Sequence, residues 1–472
     1  MKDVSPGSGA MTLLTPDQIE QIIAAAKKIL AEIGTKYLDD KAIKYLKDLG
    51  LAPADDGLVK ITAPVIDRAL ASAPKGVMIY DRDGQPAMDL SAGHIYFGSL
   101  TNGFKYLDPA GGQELPLGRK EEAAMVRLSD ALPHIHYAMN SGTLCDCEHG
   151  YPGAEAFAIV YENTTKPIGF TTNDFDSCVE AVELASALAG GPEALAAKPF
   201  LVHYAEPISP LVHNADSCRK LMFLAEKSVP VTYTPYTMMG GTGPMDFAAA
   251  LSMVTAEILA GLVLHQAVNP GAPFIFGGMP SYLEMRHSIG VMGAPELHML
   301  VAAEAEISHY LGFPFFGTAG CSDARTVDLQ AAAEGTMSIM SALLSKANLI
   351  HDLGLMGHGE STSPEMLVLS DELIGMLHPF RRGIEVSEKT LAHQVIAEVG
   401  PGGHFLTHKH TMSNFRMLSF SKLLDRTRTF MDGTLGKRLK QTTLALLENH
   451  QSKPLEDEKA EIIAAFRAKW QA

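Results

Sequence analysis

Tryptophan is almost missing from this chain of 472 residues, since its single copy, Trp470, stands near the C-terminus. A protein with so little tryptophan lacks the aromatic platform that sugar-binding sites favour. Basic residues are also few: 38 Lys and Arg face 54 Asp and Glu, which gives a formal net charge of −16. A phosphate backbone is bound through Lys and Arg, so this balance disfavours nucleic acid as a partner.

Cysteine is scarce as well, and the five copies are scattered: Cys145, Cys147, Cys178, Cys218 and Cys321. An odd, dispersed set in a large acidic chain indicates reduced thiols rather than a disulfide framework. The N-terminus shows no apolar segment of the kind that a signal peptide carries. These features predict a cytoplasmic protein.

Long apolar runs are limited to one, residues 247–268, which is long enough to suggest a membrane span. The run contains Glu257, His265 and Gln266 and follows Pro244-Met-Asp, a helix-start signal. We therefore predict a buried helix and no membrane partner. Known nucleotide-binding and hydrolase motifs are missing too, because Gly240-Gly-Thr-Gly and Gly400-Pro-Gly-Gly match neither G-x-G-x-x-G nor the P-loop.

Proline, by contrast, recurs at the start of apolar runs. The five runs are Pro167-Ile-Gly-Phe, Pro199-Phe-Leu-Val, Pro230-Val-Thr-Tyr, Pro273-Phe-Ile-Phe and Pro314-Phe-Phe-Gly. Proline is tolerated at the first residue of a strand, and each run is followed by a segment with helical periodicity. Three further runs extend the series, at residues 135–140, 347–352 and 403–408. The pattern predicts a (β/α)₈ TIM barrel, in which functional residues lie at the C-terminal ends of the strands.

The barrel accounts for only part of the chain. We predict three regions: residues 1–132 as an N-terminal helical and β extension packed on the barrel, 133–410 as the catalytic barrel, and 411–472 as a C-terminal helical tail. Helices are expected to begin after Thr15, Asp39 and Thr62, which are N-cap residues.

The predicted strand ends are rich in aromatic and acidic side chains, including Tyr204, Glu206, Tyr236 and Asp323. Phosphate-binding barrels offer positive charge instead. An acidic, aromatic mouth suits a cation, and a quaternary ammonium above all, because aromatic faces attract it without hydrogen bonds. Core filling is the alternative role for each tyrosine. Glu206 and Asp323 are also the carboxylate pair that a glycoside hydrolase of this fold would need, which leaves that class as a second reading.

Two groups resemble metal sites only superficially. His404, His408 and His410 form H-x-x-x-H-x-H without the Glu of H-E-x-x-H, and Cys145-Asp-Cys147 is too closely spaced for a structural zinc pair. We predict no metal site and interpret the histidines as wall or capping residues.

Several phrases together resemble the trimethylamine methyltransferase family. They are Ile29-Leu-Ala-Glu-Ile-Gly, Asp81-Arg-Asp-Gly, Ile95-Tyr-Phe-Gly, Leu132-Pro-His-Ile, Ser322-Asp-Ala and Gly400-Pro-Gly-Gly-His-Phe-Leu-Thr-His. The resemblance covers nearly the whole chain. It implies a (β/α)₈ barrel that transfers a methyl group from an amine to the cobalt of cob(I)alamin in a separate corrinoid protein, with no tightly bound cofactor of its own.

The trimethylamine branch of that family contains pyrrolysine, whereas this chain contains only the twenty standard residues. The resemblance therefore implies the branch without pyrrolysine, whose substrates are quaternary amines, and glycine betaine is the first expectation. Proline betaine, carnitine and choline stay open as substrates. Self-association is also expected.

The residues expected to act on such a substrate follow from their places in the pattern. Tyr96 and Phe97 lie in a β segment whose glycines would let a loop fold over the mouth. We predict that at least two of Tyr96, Phe97, Tyr204 and Tyr236 line the pocket around the ammonium group. His351 and Glu206 are expected at the catalytic centre, with Glu206 as the carboxylate partner of the ammonium group.

The substrate carboxylate needs a separate partner, and His351 is predicted to bind it, with Arg325 as the competing candidate. Strand alternation should turn His351 to the interior and Asp352 to the opposite face.

Overall fold

The computed structural model describes residues 10–91, 93–147, 150–418, 420–427 and 433–471. Eight parallel strands form its central sheet: β1 (Tyr96–Ser99), β2 (Ala138–Met139), β3 (Ile168–Thr171), β4 (Leu201–Ala205), β5 (Val231–Tyr233), β6 (Phe274–Gly277), β7 (Phe315–Thr318) and β8 (Leu349–Leu353). Each strand pairs with the next in chain order from β2 to β8, and β8 pairs with β1.

The sheet closes between its first two strands. Gly98 of β1 bridges Tyr137 in parallel register, and the His136 amide donates to the Phe97 carbonyl. A β-carbon at Gly98 would lie 2.2 Å from the Tyr137 ring, so the closure requires glycine at this position. The predicted (β/α)₈ barrel is confirmed.

Seventeen α-helices are present in the described part of the chain. They are α1 (Pro16–Lys28), α2 (Asp40–Asp48), α3 (Ala63–Ser72), α4 (Arg119–Ala131), α5 (Pro152–Asn163), α6 (Phe175–Ala189), α7 (Pro192–Ala197), α8 (Ala215–Glu226), α9 (Phe247–Val268), α10 (Pro295–Tyr310), α11 (Leu329–Ser345), α12 (Pro364–Arg382), α13 (Glu388–Leu391), α14 (His393–Val399), α15 (Lys409–Asn414), α16 (Leu435–Asn449) and α17 (Asp457–Gln471). Helices α4, α5, α6, α8, α9, α10, α11 and α12 follow β1 to β8 in turn and surround the barrel.

Further strands lie outside the barrel sheet, at Thr35–Tyr37, Leu58–Val59, Met78–Tyr80, Pro86–Asp89, Lys105–Leu107, Glu114–Pro116, Val212–His213, Met238–Met239, Ser281–Glu284, Ile289–Gly290, Leu355–Met356 and Ser361–Thr362. The hairpin of Met78–Tyr80 and Pro86–Asp89 packs Ile79 and Met88 against the side chains inside the barrel. The Tyr80 amide donates to the carbonyl of Pro199, just before β4. The hairpin therefore covers the end of the barrel at which the strands begin, and we call this end the closed end.

The recurrent prolines mark strand starts as predicted. Pro167, Pro230, Pro273 and Pro314 directly precede β3, β5, β6 and β7. A residue at the entry of a strand does not need its amide for the ladder, which explains why proline is accepted there.

The eighth predicted strand, at residues 403–408, is wrong. These residues form turns and coil, and most of them are exposed. The eighth strand is Tyr96–Ser99, from the segment expected to be an extension, and it already pairs with both neighbours that would flank any further strand. The barrel sheet thus starts at Tyr96 and ends at Leu353, while the division into three regions at residues 132 and 410 stays a prediction.

The long apolar helix α9 is long enough to cross a membrane, but most of its surface is buried in the protein. Helices α1, α2 and α3 cover it, and the Tyr37 hydroxyl donates to the Ala260 carbonyl. At the other end of the chain, Arg467 of α17 forms ion pairs with Glu155 and Glu162 of α5. Both ends of the described chain therefore pack on the barrel helices.

Candidate active site

The mouth of the barrel, where the strands end, carries a hydrogen-bonded tyrosine–glutamate pair. Tyr204 in β4 points to the interior, and its hydroxyl donates to Oε2 of Glu206 at 2.8 Å. Burial raises the pKa of Tyr204 well above its usual value, and the charges of Glu206 and Asp352 add to the effect. The tyrosine is therefore a stable hydrogen-bond donor that holds the Glu206 carboxylate in place.

The Glu206 residue is exposed to solvent at the mouth, but protein atoms surround most of its carboxyl group. Desolvation raises the pKa of Glu206 above its ordinary value of 4.5, although the Tyr204 hydrogen bond and the nearby Lys220 charge oppose the shift. The Lys220 ammonium is itself hydrogen-bonded to the Thr172 carbonyl. Glu206 thus presents a carboxylate to the mouth of the barrel.

A second carboxylate reaches the interior through an irregularity in β8. Asp352 has a φ of +73°, and the register with β1 shifts between Ile350 and Leu353. Such a bulge turns a side chain away from its regular face. Asp352 consequently accepts a 2.6 Å hydrogen bond from Thr318 and lies beside His351, so the predicted placement of Asp352 on the opposite face is wrong.

His351 is buried, and both of its ring nitrogens face acceptor atoms. Nδ1 lies 2.9 Å from the Gly317 carbonyl oxygen, and Nε2 lies 3.3 Å from Oδ2 of Asp352. The ring also packs against Phe316 and Tyr204, with centroids 4.3 and 5.8 Å away. These contacts fix the orientation of the imidazole. One ring nitrogen is engaged with the backbone and the other with Asp352.

Tyr236 contributes a further ring on the loop after β5. It is half-buried, and its hydroxyl lies 3.9 Å from the Met292 sulfur. Burial raises the pKa of Tyr236 to about 12, with further contributions from the charges of Asp323, Cys321 and Asp352. The charge of Asp352 therefore acts on both Tyr204 and Tyr236, and that of Glu206 acts on Tyr204, within one region of the mouth.

Asp323, on the loop after β7, has a different role. Its two oxygens accept the Met292 and Gly293 amides at 2.8 and 3.0 Å, and His358 lies 3.1 Å from Oδ1. A carboxylate engaged in this way anchors a loop and is poorly available as an acid or nucleophile. This arrangement disfavours the reading of Glu206 and Asp323 as a glycosidase pair.

Arg325 follows two residues later on the same loop and is exposed. Within the described ranges, no hydrogen bond or ion pair joins its guanidinium to another residue. Its guanidinium is thus exposed on the loop after β7 at the rim of the mouth, with no partner among the described residues.

Tyr96 and Phe97 lie away from this region, which corrects the expected loop over the mouth. Tyr96 begins β1 at the closed end, and its hydroxyl accepts the Asp89 amide of the hairpin. Phe97 is buried between the sheet and the helices. The structure therefore brings Tyr204, Tyr236, Glu206 and His351 together but excludes the two aromatic residues of β1.

The histidine and cysteine groups show no metal geometry. His408 caps α15, since its Nδ1 accepts the His410 amide, and its Nε2 lies 3.1 Å from Glu398. This capping contact agrees with the interpretation of His408 as a capping residue. Among the residues that the structure describes, no three His, Cys, Asp or Glu side chains are grouped as a metal site.

The fold is a (β/α)₈ barrel, and its mouth carries aromatic rings and carboxylates. Comparison with known proteins is specific. The family model for trimethylamine methyltransferase matches residues 1–472, and the chain belongs to the trimethylamine methyltransferase family.

Individual relatives agree with this assignment. Glycine betaine methyltransferase of Desulfitobacterium hafniense strain Y51 is 29% identical over 86% of this chain and 84% of its own. Trimethylamine methyltransferase of Methanosarcina barkeri strain Fusaro is 29% identical over 94% of this chain and 92% of its own. The crystal structure of the Methanosarcina barkeri monomethylamine methyltransferase matches 99% of this chain and 89% of its own with a TM-score of 0.50 at 10% identity, which supports the fold alone.

Proposed function

We propose that this protein is a cytoplasmic methyltransferase that moves a methyl group from a quaternary amine, glycine betaine first, to the cob(I)alamin of a separate corrinoid protein. The observation that carries the proposal is the pairing of Tyr204 and Tyr236 with two carboxylates of the mouth, Glu206 and Asp352, in a member of this family. The similarity to a glycine betaine methyltransferase supports the choice of substrate.

The proposed reaction needs no acid or base from the protein. In the quaternary ammonium the C–N bond breaks, nitrogen keeps the electron pair, and dimethylglycine leaves as a neutral amine at that nitrogen. The methyl group forms its new bond to cobalt(I), which supplies the electron pair. The protein's contribution is to bind the ammonium, orient one methyl group towards the opening and exclude water.

The ammonium is placed between the aromatic rings and the acids. Tyr204 and Tyr236 offer ring faces, while Glu206 and Asp352 supply negative charge without donating a hydrogen bond to the methylated nitrogen. His351 then acts as a positioning residue, because its imidazole holds Asp352. In this proposal Glu206 is the carboxylate partner of the ammonium, the role that the sequence predicts for it, while His351 takes a positioning role.

The substrate carboxylate requires a cation, and Arg325 supports this role better than His351. Both nitrogens of His351 already have partners, whereas Arg325 stands on the rim with an exposed guanidinium. Arginine binds carboxylates through two parallel hydrogen bonds. Binding of the substrate carboxylate by His351 stays a prediction. Variants of His351 and Arg325 distinguish the two candidates, because only loss of the true carboxylate partner should weaken glycine betaine selectively.

The proposal is tested by incubating the purified protein with a cob(I)alamin acceptor and one amine at a time. We expect methylcobalamin to form with glycine betaine and dimethylglycine to appear in equal amount. Choline, carnitine and proline betaine define the range of quaternary substrates. Methyl transfer from trimethylamine and from no quaternary amine contradicts the proposal, as does a protein that transfers no methyl group at all.

A further inference from the structure

A cavity of about 460 Å³ lies between helices at the closed end of the barrel. Its walls are formed by the turn between α4 and β2, by α12, by residues 420–426 and by α16. The turn leads into the start of β2, so the cavity lies at the end of the barrel opposite the mouth. Its volume is within the range of sites that bind small organic molecules, and the proposed methyl transfer uses none of its residues.

Two acidic residues of α12 hold these walls together. Oδ1 of Asp371 accepts the His134 amide at 2.7 Å, and Oε1 of Glu372 accepts the Lys422 amide at 3.2 Å. The first contact attaches the turn before β2 to the helix, and the second attaches residues 420–426. Both carboxylates are therefore engaged by backbone amides, and specific contacts between separate segments of the chain build the cavity.

Cationic side chains line this cavity without acidic partners. Arg382, Lys422 and Arg426 contribute to the lining, and no ion pair joins any of them to a carboxylate of the described residues. The Arg382 guanidinium makes one long hydrogen bond, of 3.5 Å, to the Met417 carbonyl. On a chain of net charge −16, three such cations in one cavity are a local exception to the overall charge.

Two histidines, His134 and His378, line the same cavity. A β-carbon at Gly375 would lie 2.8 Å from Nε2 of His134, so the glycine within α12 leaves room for this ring. Burial lowers the pKa of His378, and the charges of His134, Arg382 and Arg381 lower it further. The surroundings of His378 are therefore positive, which favours a ligand that brings negative charge.

The remainder of the lining is mainly apolar. Leu132, Val368, Met376 and Leu446 present hydrocarbon surface to the cavity. Apolar walls with a few charged groups are typical of sites for organic molecules. An inorganic ion would leave these walls in contact with water, whereas an organic anion covers them.

We infer that this cavity binds a small organic anion that carries a carboxylate or a phosphate on an apolar body. Arg382, Lys422 and Arg426 bind the charged oxygens, and arginine does so with parallel hydrogen bonds. The mouth is lined by carboxylates and suits a cation, so the two sites select ligands of opposite charge. The inference is independent of the amine substrate and of the methyl acceptor.

The first test is isothermal titration calorimetry on the full-length protein with naphthoate and naphthyl phosphate as probes. At least one of them should bind to a single site, and the tighter one shows whether the site prefers a carboxylate or a phosphate. The neutral naphthalenemethanol should bind at least about tenfold more weakly, because it cannot pair with the cations. Failure of both anions to bind overturns the inference, and equal binding of the neutral compound does so too.

The second test assigns the site. Arg382→Gln/Arg426→Gln should raise the dissociation constant of the tighter anion at least about tenfold, and both side chains are exposed, so the fold is kept. The matched control is Lys60→Gln/Arg68→Gln, which removes the same charge from exposed residues elsewhere and should leave the affinity unchanged.

A further variant blocks the cavity without changing its charge. Thr442 of α16 is half-buried in the lining, and Thr442→Trp should abolish binding of the anion by filling the space. Circular dichroism and the Tm show whether each variant is folded, and Thr442→Trp decides the matter if the double variant is not. Wild-type affinity in a folded double variant, or in folded Thr442→Trp, overturns the inference.

Discussion

At the scale of single residues, the two tyrosines of the mouth are expected to hold the ammonium group. Replacing Tyr204 or Tyr236 by leucine keeps an apolar side chain but removes the ring face, which is worth about 0.5–2 kcal/mol for a desolvated cation. The KM for glycine betaine should rise about 2- to 30-fold in steady-state assays. Tyr96→Leu, at the closed end, is the control and should lower only the Tm. If the mouth variants lose thermal stability while KM stays constant, the rings merely fill the core.

The substrate carboxylate gives a second prediction, which concerns Arg325 and His351. Arg325→Ala removes a charge-assisted contact of about 1.5–3 kcal/mol, so the KM for glycine betaine should rise at least about tenfold. Choline has no carboxylate, and its KM should not change. His351→Ala should impair both substrates equally, because it disturbs Asp352, which faces the ammonium that they share. A selective loss of betaine in His351→Ala would instead assign the anchor to the histidine.

The raised pKa of Glu206 predicts how substrate binding responds to pH. The carboxylate attracts a cation only when ionised, so affinity is full above the raised pKa and declines as the pH falls through it. We expect the KM for glycine betaine to increase towards acidic pH, starting above the ordinary glutamate value of 4.5. Glu206→Gln should show a high KM with little pH dependence over this range. A wild-type profile that is equally flat speaks against a role for this carboxylate.

The sequence led to most of the mouth but not to Asp352. Tyr204, Glu206 and Tyr236 follow directly from their positions after apolar runs, because regular alternation and strand ends are encoded locally. Asp352 reaches the interior only through a bulge, with a positive φ that depends on pairing with β1. Aspartate tolerates that conformation, but nothing in the neighbouring sequence announces it.

At the scale of elements, the closure between β1 and β2 depends on one glycine. Gly98→Ala would place a methyl group 2.2 Å from the Tyr137 ring, and such overpacking typically costs about 1–3 kcal/mol. Chemical denaturation should show this loss in the free energy of unfolding. Gly436→Ala in α16 is the matched control: its added β-carbon has open space, so stability should stay equal or increase. Equal stabilities for Gly98→Ala and wild type would show that the ring moves aside without cost.

The same closure explains why β1 was not recognised as a barrel strand from the sequence. Proline marks β3, β5, β6 and β7, but β1 has no such marker. It is also followed by the hairpin of Lys105–Leu107 and Glu114–Pro116 before its helix begins, which hides the βα repeat. The apolar run at 403–408 follows a turn signal and has the pattern of a strand. It does not join the barrel because β1 already pairs with both strands that would flank it.

At the scale of the whole molecule, both chain ends reinforce one barrel. Helices α1 to α3 cover α9, and Arg467 links α17 to two glutamates of α5. Helices α1, α2, α3 and α17 therefore pack outside the barrel, where helix signals predicted helices, whereas the predicted extension also contributes β1 to the barrel sheet. Local signals place such helices reliably, whereas their packing partners depend on contacts between distant parts of the chain.

The hairpin at the closed end also has a kinetic consequence for the proposed reaction. Because the hairpin covers one end of the barrel, the amine substrate, the amine product and the methyl acceptor must all use the mouth. An acceptor protein that docks there first blocks the amine, so the amine should bind first and the acceptor second. Initial rates should then fall at high acceptor concentration, and raising glycine betaine should relieve this inhibition. Rates that saturate with acceptor at every betaine concentration would indicate a second route into the barrel.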